Sequence, residues 1–195
     1  MSHPLELFHY CPRCGSDRFV EHNQKSKHCL ACGFTYYINP SAATVAFILR
    51  PASSQPRPAD GAEAEVLWEL LVVRRAKEPA RGTLDLPGGF SDMEETSEEG
   101  VAREVLEETG LKVDRTQFLF SLPNRYLYSD LVVPTMDMFY LCHVADTHGA
   151  HGMDDAAEAR WIPLQDLRPE DFGLRSVRQG VEKFLLNFPI YIRYK

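Results

Sequence analysis

Residues 89–111 read "GFSDMEETSEEGVAREVLEETGL", and this stretch decides the fold. It carries seven glutamates and no lysine. Thr96-Ser97-Glu98-Glu99 has the form of a capping box, with Thr96 as N-cap and Glu99 at N3, and Gly110 stands where a helix stop belongs. The spacing predicts a helix of about three to four turns between them. At ~100° per residue, Val101, Ala102, Val105 and Leu106 spread over one arc. Glu104, Glu107 and Glu108 gather within about 100° of each other on the neighbouring arc.

Like charges three and four residues apart repel and weaken a helix. A solvated acidic face is one reading of such a run. A cation site is the other, because clustered hard oxygens suit Mg²⁺ or Mn²⁺, which remove the repulsion and bridge to phosphate oxygens. The loop Pro87-Gly88-Gly89, directly before the helix, favours the second reading.

Outward from this segment the chain alternates strand-like and helix-like patterns. SAATVAFILR (41–50) and EVLWELLVVRRA (65–76) read as strands, joined by the Pro/Ser/Ala-rich stretch 51–65, which reads as a long exposed loop. QFLFSL (117–122) and TMDMFYLCHV (135–144) read as two more strands, and ADTHGAHGMDDAAEA (145–159) as a polar loop. ARWIPLQDL (159–167) suggests a short strand and a turn. A closing helix is expected from Leu174 to Phe188, its buried face made by Val177, Val181, Phe184, Leu185 and Phe188. The pattern divides near Asn39-Pro40 into a Cys-rich unit, 1–39, and a main α/β domain, 40–195.

The first unit contains Cys11-Pro12-Arg13-Cys14-Gly15 and Cys29-Leu30-Ala31-Cys32-Gly33. Two CxxC knuckles can place four thiolates on one tetrahedral Zn²⁺, and the glycine after each second cysteine suits a tight turn. Disulfides or a redox pair are the other reading of paired cysteines. With four protein ligands, Cys11, Cys14, Cys29 and Cys32, the metal has no open position and is structural. So small a unit has little apolar material to fold on without it. The fifth cysteine, Cys142, stands alone in an apolar run.

Composition limits the partners. A formal net charge of −7 gives no general attraction for nucleic acid or anionic membrane. No run of about 18 apolar residues is present, and the N-terminus lacks a signal-peptide layout, so a cytoplasmic protein is expected.

The run Gly89, five residues, Glu95, seven residues, then Arg103-Glu104-Val105-Leu106-Glu107-Glu108-Thr109-Gly110-Leu111 resembles the Nudix box, G-x₅-E-x₇-R-E-U-x-E-E-x-G-U with U aliphatic, and meets every defined position. The resemblance implies an α/β/α sandwich around a mixed sheet, preceded here by a small zinc ribbon. It implies hydrolysis of a nucleoside diphosphate linked to another group. By the same resemblance Glu104, Glu107 and Glu108 hold the divalent ions with help from the Gly88 carbonyl, and Glu104 doubles as base or base-orienting group. Arg103 holds a glutamate in place, and Glu95 braces the loop-helix-loop. A further acid is expected from outside the box, with Glu158, Asp137, Asp154 and Asp155 as candidates.

A zinc ribbon ahead of this domain is similar to the NADH pyrophosphatases, which implies dinucleotide or nucleotide-sugar substrates such as NADH or ADP-ribose. Their SQPWPFPxS-type motif is absent, since the equivalent region reads Ser121-Leu122-Pro123-Asn124-Arg125-Tyr126-Leu127-Tyr128. Tyr126 and Tyr128 are candidates for stacking on a base, with ordinary packing as the alternative. Two other functions stay open, a (d)NTP pyrophosphohydrolase of the nucleotide pool and a Nudix-fold nucleotide- or partner-binding regulator. The expected partner is a small nucleotide; nucleic acid and membrane are not expected, and a homodimer is compatible with the pattern.

Overall fold

The computed structural model describes residues 3–52, 66–128, 130–153 and 156–192. Most of the loop expected at 51–65, and the acids Asp154 and Asp155, lie outside the described residues. The chain forms two compact units, Met1–Ser41 with Arg125–Pro134, and Ala42–Asn124 with Thr135–Lys195. The first unit thus takes in Arg125–Pro134 beside the Cys-rich segment.

The first unit holds a three-stranded antiparallel sheet of β1 (Phe19–Asn23), β2 (Ser26–Cys29) and β3 (Thr35–Tyr37). Its core is Cys11, Phe19 and Cys29, backed by Phe8, Cys32, Phe34 and Tyr36. With so few apolar side chains, the thiols themselves are core material.

The remaining elements are β4 (Ser41–Pro51), β5 (Trp68–Arg75), β6 (Leu84–Asp85), α1 (Ser97–Thr109), β7 (Val113–Tyr128), β8 (Leu131–Val144), β9 (Ala156–Pro163) and α2 (Arg175–Tyr191), all in the second unit apart from Ser41 and the parts of β7 and β8 within Arg125–Pro134. The strands run in the order β6-β5-β4-β8-β7, and β9 also pairs with β5. Strand alternation sorts the side chains onto two faces. Val45 and Phe47, Leu70 and Val72, and Phe139 and Leu141 pack with Val177, Val181 and Phe184 of α2. Ala46 and Ile48, Leu71, and Tyr140 and Cys142 pack with Val101 and Val105 of α1. One helix on each face of a mixed sheet is the expected α/β/α sandwich. Gly180 allows the close approach of α2, because a Cβ there would lie 2.6 Å from Cζ of Phe139.

Several expectations change in detail. The region 121–128 belongs to β7, which continues through Pro123 to Tyr128 and returns as β8. Among the described strands β7 lies at the sheet edge, where a residue without an N–H is tolerated. β9 starts at Ala156, so Glu158 is a strand residue opposite Arg74 rather than the end of a loop. The closing helix runs to Tyr191 through Pro189, which sits in its last turn. Among the described residues no helix is long and apolar enough to cross a membrane.

Candidate active site and thiolate site

The helix signals act as the sequence predicts. The Thr96 side chain accepts from the Glu99 N–H at 3.2 Å, and the Glu99 carboxylate accepts from the Thr96 N–H at 2.8 Å. Gly110 takes the left-handed conformation at φ 72° and donates to the Leu106 carbonyl at 2.9 Å. Past the helix, the N–H groups of Met153 and His151 satisfy the carbonyls of Glu108 and Thr109 at 2.9 and 3.3 Å. At the start, the hydroxyls of Ser97 and Tyr140 share a hydrogen bond of 2.5 Å, which ties α1 to β8. Fixed at both ends, the helix presents its carboxylates in one place.

Its faces differ from the expected arcs by one step. Val101 and Val105 are fully buried, but Leu106 is 51% exposed and Glu108 only 9%. Glu108 therefore sits on the sheet side, where it accepts from the Gly88 N–H at 3.1 Å. The loop supplying that N–H is zipped to the start of β4. Thr44 N–H donates to Gly89 O at 2.8 Å, Ala46 N–H to Pro87 O at 2.8 Å, and Ser91 N–H to Ala42 O at 3.1 Å.

Two glycines are required here for space. A Cβ at Gly88 would collide with the Thr44 carbonyl. One at Gly89 would lie 2.5 to 2.7 Å from the Glu104 carboxylate, which presses on the bare backbone. Asp85, just ahead of this loop, is buried and bound to Arg75 Nη1 at 2.5 Å and to the Leu86 N–H at 2.9 Å. Burial pushes its pKa up, against the pull of Arg75. Sequence reading missed this brace, because Arg75 and Asp85 meet only through β5–β6 pairing.

Arg103 organises the acids. It donates to Glu95 through Nε at 3.1 Å and Nη2 at 2.8 Å, to Glu104 through Nη1 at 2.8 Å, and to Glu107 through Nη1 at 3.1 Å. Nη2 also reaches the Phe90 carbonyl at 3.1 Å. The paired bond to Glu95, with the Asp92 N–H at 2.6 Å, holds that carboxyl down at about 2. Burial instead raises the pKa of Glu104, with Arg103 opposing. Glu95, Glu104, Glu107 and Glu108 are thus brought together around one guanidinium and one glycine loop. Oxygen donors of this kind fit a hard divalent cation.

The other candidates have partners of their own. Glu158 pairs with Arg74 at 3.3 Å on an exposed part of the sheet. Asp137 is buried and accepts from Thr135 Oγ1, Ser176 Oγ and Asn124 Nδ2 at 2.5, 2.5 and 3.1 Å, so it serves as a brace between β7, β8 and α2. Tyr126 and Tyr128 fall within Arg125–Pro134 and group with the first unit. Cys142 is buried, and burial pushes its thiol up to about 12, which leaves it inert.

Within the first unit, the Sγ atoms of Cys11, Cys14, Cys29 and Cys32 all lie within 4.8 Å of one another. Cys11 to Cys32 and Cys14 to Cys29 are each 3.7 Å apart. A disulfide needs ~2.05 Å, whereas four sulfurs at ~2.3 Å around a tetrahedral zinc would be ~3.8 Å apart. The set is compatible with zinc. Both knuckles close alike, with Gly15 N–H on Cys11 O at 2.8 Å and Gly33 N–H on Cys29 O at 2.9 Å, each glycine at φ 73°.

A family model described as the NUDIX domain matches residues 56–181. An NAD-capped RNA hydrolase NudC of Vibrio vulnificus is 26% identical over 188 residues, which are 95% of this chain and 62% of that protein. An ADP-ribose pyrophosphatase of Methanocaldococcus jannaschii is 35% identical over 103 residues, or 51% of this chain and 57% of that protein. This chain therefore matches less than two thirds of the length of either relative. Among solved structures, a NUDIX hydrolase from Nitrosomonas europaea superposes with a TM-score of 0.64 at 20% identity, over 91% of this chain and 90% of that one, a likeness of fold.

Proposed function

The chain belongs to the NUDIX domain family, and from that premise we propose that it is a divalent-cation-dependent hydrolase. Its target is the pyrophosphate bond of a nucleoside diphosphate linked to another group, of the dinucleotide or ADP-ribose kind. The observation that carries this reading is the array in which Arg103 gathers Glu95, Glu104 and Glu107 while the Gly88 N–H holds Glu108. The names of the two relatives, one acting on NAD-capped RNA and one on ADP-ribose, support the substrate class.

Glu104, Glu107 and Glu108 would hold Mg²⁺ or Mn²⁺. The Gly88 carbonyl would join them, since the neighbouring carbonyls of Pro87 and Gly89 are taken by β4. When bound, the cation screens the anionic diphosphate, acidifies the attacking water and stabilises the departing phosphate. The chain's own groups do the rest. Arg103 keeps the acids from splaying apart, and Glu95 fixes Arg103. Glu104, its pKa raised by burial, is suited to accept the proton of the attacking water. The four cysteines would hold a structural Zn²⁺.

The test offers purified protein NADH, ADP-ribose, diadenosine polyphosphates, FAD and NTPs with Mg²⁺ or Mn²⁺, and identifies the products. The expected products are a nucleoside monophosphate and the phosphorylated second group. Glu107→Gln and Glu108→Gln should each lower turnover by about 10²-fold or more; unchanged activity would remove the assignment. Glu158 is half-exposed and paired with Arg74 through Oε2 at 3.3 Å, so Glu158→Gln is expected to cost less. A sole preference for NTPs would overturn the substrate class.

A further inference from the structure

Thr44, on β4 beneath the glycine loop, carries a hydroxyl that the arrangement above leaves idle. The residue is 1% exposed, and its Oγ1 is buried with no hydrogen-bond partner. An orphaned hydroxyl disfavours folding, and valine would fill the same space without that penalty. A position of this kind needs a reason outside the resting fold.

Its direction supplies one. The bonds from Thr44 to Gly89, Ala46 to Pro87 and Ser91 to Ala42, with the antiparallel bridge between Ala43 and Phe90, set Thr44 directly opposite Gly89. Residues directly opposite in such a pair project to the same face. At Gly89 that face is occupied by Glu104, whose Oε1 and Oε2 lie 2.5 and 2.7 Å from where a Cβ would stand. Alternation along β4 agrees, since Ala46 and Ile48 pack with α1 whereas Val45 and Phe47 pack with α2. The hydroxyl of Thr44 is therefore on the carboxylate side of the sheet.

Resting on the function proposed above, we infer that Thr44 is a positioning residue, its hydroxyl donating to the Glu104 carboxylate in the cation-loaded site. Among the described residues Arg103 engages Glu104 through Oε1 at 2.8 Å. A carboxylate that turns from Arg103 toward a cation gives up part of that bond. The Thr44 donor, already buried beside Gly89, replaces it without drawing in solvent. Groups that orient a metal ligand from behind typically alter affinity by 10–100-fold when removed.

The experiment measures Mn²⁺ affinity by calorimetry, and thermal melting in chelator, for the full chain and its Thr44→Val, Thr44→Ser and Thr44→Ala forms. Thr44→Val should bind Mn²⁺ about 10-fold more weakly, yet melt at the same temperature as the parent or higher, because it removes an orphaned group. Thr44→Ser should stay within about threefold of the parent. Thr44→Ala, which also lacks the hydroxyl, should fall with valine and serves in its place should valine not fold. Parental affinity in the folded variants lacking the hydroxyl overturns the inference, and so does a serine form as weak as valine, which would implicate the methyl group. A parent chain that binds no Mn²⁺ overturns the function proposed above and this inference with it.

Discussion

The two candidate ligand sets of this protein are assembled in opposite ways. Among the described residues, only the cysteine set has three or more ligand atoms within 4.8 Å of one another. Its geometry is complete in the backbone, since each knuckle is closed by one glycine N–H onto the first cysteine carbonyl. Glu104 and Glu107 of α1 are instead held by a cation that the chain itself provides, Arg103. A site that holds a structural metal can be closed on all sides. A site that must take up a cation and a substrate has to keep mutually repelling carboxylates near each other before either arrives, and a guanidinium with five donors can do so.

The widest gap between the two sets should appear on losing a thiolate. Cys29→Ser is expected to cost the first unit its fold, because apparent zinc affinities of ~10–16 kcal/mol supply the folding free energy of such units. Bound zinc should drop from one per chain to none, and hydrogen exchange across Phe19–Cys29 should become fast. Next comes Gly89→Ala. A methyl at 2.5 Å from Glu104 Oε1 has to displace that carboxylate, and a misplacement of about 1 Å costs on the order of 10²-fold in turnover. The fold should survive, so circular dichroism stays constant while kcat falls.

Removing the brace should do less. Glu95→Gln weakens the paired bond to Arg103 and should lower turnover by about 10-fold. The same residue gives a pH signature. Its folded pKa is held near 2, below its ordinary 4.5. The unfolded chain therefore takes up the proton first as pH falls, so this contribution to stability is complete above about 4.5 and is lost on descending toward 2. Urea midpoints recorded across that window should fall more steeply for the parent than for Glu95→Gln. The smallest effect is expected from Thr96→Ala, which removes the N-cap and should cost about 1 kcal/mol by thermal or urea denaturation. The cysteine unit should be unchanged in both variants.

What was legible followed from short-range rules. The capping box, the Gly110 stop and the two knuckles involve residues a few positions apart, so spacing alone fixes their geometry. The misplacements arose where neighbours distant in sequence decide. Leu106 has the residue type of a core position, but the sheet takes Val101, Val105 and Glu108, because the Gly88 N–H needs an acceptor there. Glu158 looked like a loop acid until β9 paired it across from Arg74. The strand expected at 117–122 extends through Pro123 to Tyr128 and returns as β8.

The sequence by itself determined the family, the helix that bears the acids and the identity of all four thiolates, because each is written in residue types at fixed short spacing. Only the tertiary structure decided that Arg103 gathers three glutamates at once, that Gly88 and Gly89 are bare so that Thr44 and Glu104 can close in, and that Thr44 stands opposite Gly89. These depend on the register between β4 and the glycine loop, and register is set by long-range pairing that no local spacing records.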